Sequence, residues 1–106
     1  MIEYLDHAIA DNIRHTEIFF DPQSHTSREV SFATFFNGLK RGIDERSDKI
    51  SAKLILCFLR HLSEEDALQA LEAAEPFKDD IHGIGLDSSE LGNQPRKFAR
   101  AFAAAR

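Results

Sequence analysis

Apolar positions along this chain alternate between a helical and a strand-like period. Ile2, Leu5, Ile9 and Ile13 keep helical spacing and predict an amphipathic helix over roughly 3–14. Thr16-Glu17-Ile18-Phe19-Phe20 is short, β-branched and aromatic, and it stops at Asp21-Pro22, which reads as a strand with a turn behind it. A polar stretch runs from Gln23 to Glu29. Phe32, Phe35, Phe36, Leu39 and Ile43 then form one face of a second helix, with Ser31 as its N-cap. Lys53 to Leu59 is almost continuously apolar, the pattern of a strand covered on both faces. Ser63-Glu64-Glu65-Asp66 resembles a capping box with Asp at the third helical position. It opens a third helix with Ala67, Leu68, Leu71 and Ala74 on one side, ended by Pro76. A third strand covers Ile81 to Leu86, where Gly83 and Gly85 permit close approach of another group. Pro95 stands in the first turn of a last helix bearing Phe98 and Phe102.

The predicted order is α-β-α-β-α-β-α, an α/β fold with three parallel strands joined by helical crossovers. Three apolar strands leave two open edges, which chains manage by further strands, closure or association. A whole (β/α)8 barrel needs about 250 residues. The 106 residues here therefore suit one partial-barrel unit over 1–106.

Composition narrows the function classes. Thirteen Lys and Arg against eighteen Asp and Glu leave a net charge of −5. That balance argues against a nucleic-acid partner, because phosphate-backbone binding needs clustered cations. Hydrophobic residues at 42% and charged ones at 29% are ordinary for a folded globular chain. Cys57 has no partner cysteine, so no disulfide framework is expected. The longest apolar run, Leu54 to Leu59, is far short of the ~20 residues of a membrane span. Glu3 and Asp6 stand where a secretory signal would be basic, and a cytoplasmic address is expected.

In parallel α/β folds, ligands meet the carboxyl ends of the strands. Those ends carry Asp21-Pro22-Gln23 with His25, then Arg60-His61, then Asp87-Ser88-Ser89-Glu90. Two readings stay open: a binding face built from three loops, or ordinary loop residues that cap the following helices. His25 and His61 with Asp87 or Glu90 could be imagined as zinc ligands, yet none shows the tight spacing of a ligand pair, and no self-contained metal site is expected. Cys57 reads as a small hydrophobe inside a buried strand. His7 and His15 read as surface residues, and His82 as structural, at the end of its strand away from the rim.

Three segments at these strand ends go further. Phe19-Phe20-Asp21-Pro22-Gln23-Ser24-His25-Thr26, Leu56 to Glu65, and Gly85-Leu86-Asp87-Ser88-Ser89-Glu90-Leu91-Gly92 resemble successive motifs of the adenosine/adenine deaminases, a family of metal-dependent hydrolases. The wording is closest to the adenine deaminase branch of fungi and bacteria, and the resemblance runs from about Asp6 to the last residue. It implies a (β/α)8 barrel in which this chain is the second, third and fourth strands with their helices. It also implies hydrolysis of the exocyclic amine of a purine base, adenine plus water giving hypoxanthine and ammonia. Zinc would supply hydroxide near neutral pH, and a Glu would carry the proton to the ring.

The chain departs from the family pattern where the chemistry sits. It has no His-x-His and no His-Ala-Gly-Glu, and its three strands leave out the fifth, sixth and eighth, which carry the remaining ligands and catalytic groups. No metal ligand and no catalytic residue is therefore assigned, no cofactor is expected for this chain alone, and the isolated chain is expected to be inactive. One position carries over by register: Ser88, whose backbone N–H would meet N3 of the purine. The alternative expectation is a partial-barrel module that works by self-association, or by docking with a complementary chain, through its open strand edges.

Overall fold

The computed structural model describes all residues 1–106. Three strands, β1 (His15–Phe20), β2 (Ser51–Leu59) and β3 (Ile81–Asp87), form one parallel sheet in the order β1-β2-β3. The helices are α1 (Ile2–Ala10), α2 (Pro22–Thr26), α3 (Phe32–Glu45), α4 (Glu64–Ala74) and α5 (Ala99–Ala105). None is long and apolar enough to cross a membrane.

Side-chain alternation decides where the core lies. Phe20, Leu54, Leu56 and Phe58 point to one face of the sheet and are buried there with Leu5, Phe32, Phe36, Ala67, Phe98 and Ala101 from the helical segments. Phe36 sits between Phe20, at 5.8 Å between ring centroids, and Phe77, at 5.0 Å. The opposite face carries His15, Glu17 and Phe19 on β1, and Lys53, Ile55, Cys57 and Leu59 on β2. It has no helical layer, and Phe19 is 64% exposed. The apolar run of β2 predicts cover on both faces, but helices cover only one.

Helix ends follow local chemistry. Ser31 Oγ accepts from the Thr34 N–H, and Ser63 with Asp66 forms a reciprocal capping box, both as the sequence predicts. The first helix is shorter than its apolar spacing predicts. Asn12 takes a left-handed conformation (φ +63°), and the Asn12 and Ile13 N–H groups bond back to Ile9 and Ala8 oxygens. That pattern closes the helix and leaves Ile13 exposed. Pro76 opens a 3-10 turn over Glu75–Asp80 directly after α4, and Pro95 likewise opens a 3-10 turn over Pro95–Phe98 before α5. The short α2 lies in the polar stretch where no periodicity could announce it.

Candidate functional site

All three strands end at one rim, and the turns behind them interlock there. The Arg60 N–H donates to the Asp87 carbonyl at 2.9 Å. His61 Nδ1 and Ser88 Oγ are hydrogen-bonded at 2.9 Å. Gln23, 6% exposed, accepts the Leu59 N–H on its Oε1 at 2.7 Å and so ties α2 to the end of β2. Arg60 also reaches the Asn93 carbonyl at 3.2 Å and Glu90 at 3.6 Å, while Lys97 Nζ bonds the Arg60 carbonyl at 2.9 Å and Asn93 Oδ1 at 2.8 Å. These bonds brace the loop from Ser88 to Gln94 against the end of β2.

Ser88 has φ +76°, in the left-handed region that side chains with a Cβ seldom occupy. Such strain persists only where neighbours over-determine it. Here the bonds from Arg60 to Asp87 and from His61 to Ser88 hold both sides of the turn. The Ser88 N–H meets no acceptor within the chain, which leaves one backbone donor at the rim for a ligand.

Beneath Ser88 lies a cluster that spacing along the chain does not reveal. Ligand atoms of Asp21, just after β1, of Cys57, two residues before the end of β2, and of Asp87, the last residue of β3, all lie within 4.8 Å of one another. Asp21 Oδ1 is buried and has no hydrogen-bond donor. Burial first, then hydrogen bonding and charge from Asp87, push the Asp21 carboxyl up to about 6. Burial, reinforced by both carboxyls, pushes the Cys57 thiol up to about 12. The signal was available in the period of two: Phe19 and Asp21, Ile55 and Cys57, and Gly83, Gly85 and Asp87 fall on one face once the strands are in register. Gly85 leaves the space, since a Cβ there would lie 3.1 Å from Cys57 Sγ.

Zinc asks for deprotonated donors. In this cluster the thiol keeps its proton well above neutral pH, the Asp21 carboxyl keeps its own up to about 6, and no histidine joins them. The trio does not fit the zinc that the family resemblance implies. The histidines are placed elsewhere: His61 on Ser88, and exposed His25 against the Phe35 ring at 4.9 Å. His82 is exposed at the start of β3, away from the rim, and His15 bonds Ser51 at 2.6 Å at the opposite end of the sheet.

Known proteins share both this order and this geometry. The chain is 59% identical over 105 residues to an adenine deaminase of Geotalea uraniireducens, covering 97% of this chain and 30% of that protein. An adenine deaminase of Cupriavidus pinatubonensis is 54% identical over 107 residues, with 99% and 30% covered. The chain thus spans about 30% of the length of the curated relatives it matches. The crystal structure of an adenine deaminase from Arthrobacter aurescens superimposes with a TM-score of 0.91 at 43% identity, over 98% of this chain and 32% of that one. An amidohydrolase from Burkholderia ambifaria with bound Zn superimposes with a TM-score of 0.88 at 28% identity, covering 96% and 29%. The family model for adenosine deaminase matches residues 1–106, and with the three strand-end motifs brought to one rim, the chain belongs to the adenosine deaminase family.

Proposed function

We propose that this chain supplies the second, third and fourth strands of a zinc-dependent adenine deaminase barrel, which hydrolyses adenine to hypoxanthine and ammonia. Every relative cited above at more than 50% identity is named adenine deaminase, and that likeness extends over nearly all of the chain. The observation that carries the reading is the rim itself: Ser88 is held left-handed by the turn after β2 and keeps an unpaired N–H. A fixed backbone donor suits a purine ring nitrogen, because its position costs no reorganisation on binding. Zinc, the proton-carrying Glu and the remaining catalytic groups belong, in this reading, to segments outside these 106 residues. Purine salvage in the cytoplasm is the setting it implies.

The test is a hybrid enzyme. These 106 residues replace the matching segment of the Geotalea uraniireducens adenine deaminase, and hypoxanthine formation is followed. Turnover within about tenfold of the parent, a barrier change near 1.4 kcal/mol, is expected. A folded, zinc-loaded hybrid with no turnover would sink the reading. The 106-residue chain alone, given zinc and adenine, is expected to show none.

A second reading, association through the open sheet, is favoured by one observation: Phe19 lies 64% exposed on the face that no helix covers. Light scattering of the isolated chain distinguishes it, since a monodisperse monomer at high concentration would exclude it.

A further inference from the structure

The strand-end cluster contains two carboxyls that nothing neutralises. Asp21 follows β1 and Asp87 ends β3, and an oxygen of each lies within 4.8 Å of the other and of the Cys57 sulfur of β2. The charged and titratable groups nearby are engaged elsewhere or carry no charge. Arg60 is drawn to Glu90 and Asn93, Lys97 to Asn93 and the Arg60 carbonyl, His61 to Ser88, and His25 to Phe35. The Cys57 thiol is neutral, and only Asp87 acts electrostatically on Asp21. Two ionised carboxylates this close would repel, and the buried Oδ1 of Asp21 would lack any donor. One proton held between them removes both penalties, since a protonated carboxyl donates to its ionised neighbour.

We propose that Asp21 and Asp87 share a single proton and act as positioning residues, tying the ends of β1 and β3 together across Cys57 and fixing the left-handed turn at Ser88. The shared proton stands on the cluster alone. Its consequence for the purine rests on the reading of Ser88 given above.

The proton is tested first on the 106-residue chain with carboxyl-labelled aspartate, by NMR titration. Asp21 and Asp87 are expected to respond together in two separated steps, the upper one near pH 6. In Asp87→Asn, whose amide donates to Asp21, the Asp21 midpoint is expected to fall by about one unit or more. Independent single steps in the ordinary carboxylate range, or an Asp21 midpoint unmoved in Asp87→Asn, would overturn the pairing. So would cadmium binding at one equivalent with a thiolate absorption band, because both carboxyls and Cys57 would then be ligands. If the isolated chain does not hold its fold, the same titration is made in the hybrid enzyme.

Positioning is tested in the hybrid by splitting KM from kcat across pH. KM for adenine is expected to rise above pH 6–7 as the pair loses its proton. Asp21→Asn, a permanent hydrogen-bond donor, is expected to flatten that rise. Asp21→Ala is expected to raise KM about tenfold at every pH, the loss of roughly one hydrogen bond. A pH profile of KM identical in parent and Asp21→Asn would overturn the positioning role. An inactive hybrid with a normal two-step titration would sink the deaminase reading and leave the shared proton standing.

Discussion

Gly85 and Gly83 look alike in the sequence but differ in what surrounds them. A Cβ on Gly85 would lie 3.1 Å from Cys57 Sγ, and that sulfur is hemmed in by Asp21 and Asp87. A Cβ on Gly83 would meet Ile55 at 3.6 Å, an ordinary contact. Gly85→Ala is therefore expected to cost about 1–3 kcal/mol in urea unfolding, Gly83→Ala to cost less, and Cys57→Ala to recover part of the Gly85→Ala loss. The carboxyls set the pH dependence at the same scale. Asp21 is raised from 3.8 to about 6, so the stability it contributes is present in full below 3.8 and lost as pH rises through 6. Asp6, Glu64 and Glu65 are lowered by Arg46 or Arg100, so their contribution is present above the unfolded values of 3.8 and 4.5 and lost as pH falls through the folded ones. Calorimetry across pH should find the highest melting temperature between these two flanks. Asp21→Asn should remove the decline on the alkaline side.

Elements in this chain are stabilised from their ends as well as their faces. Ser63 supplies one half of the capping box of α4, so Ser63→Ala should cost about 1 kcal/mol in thermal unfolding. Helix α5 lacks a cap of its own. Glu64 of α4 takes that place, accepting the Arg100 N–H at 2.8 Å and the Ala101 N–H at 3.4 Å, while Arg100 Nε pairs with its second oxygen at 2.6 Å. Glu64→Gln should therefore lower the melting temperature and loosen α5 in particular, visible as faster amide exchange there. At the centre of the core, Phe58 is fully buried and packs edge-on to Phe102 at 6.2 Å. Phe58→Ala should cost about 3–5 kcal/mol, a large part of the stability of a domain this small.

At the scale of the molecule, the sheet is covered by helices on one face and open on the other. The open face grades from charged, with Glu17 beside Lys53, through apolar Phe19 and Ile55, to the Asp21–Cys57–Asp87 cluster at the rim. A closed barrel turns such a face inward, and the superposition on about a third of the Arthrobacter aurescens adenine deaminase agrees with that placement. Phe19→Ser should leave unfolding free energy within about 0.5 kcal/mol, as expected for an exposed position. The same substitution should raise the monomer fraction in light scattering if the open face is what associates.

The sequence by itself determined the elements and their order, because helical and strand periods, Ser31, the Ser63 box and the prolines are local signals written within a few residues of one another. It also determined the family, because three motifs stand in register along the chain. Two ends escaped it: Asn12 cut the first helix short through a left-handed closure, and the brief α2 formed where Gln23 could cap the end of β2. Only the tertiary structure decided that β2 is covered on one face alone, and that Asp21, Cys57 and Asp87 meet. Those residues are 36 and 30 positions apart along the chain, so their contact depends on strand register and crossover packing. A proton shared between two strand ends is a property of distance, and distance across a sheet is fixed only when the chain has folded.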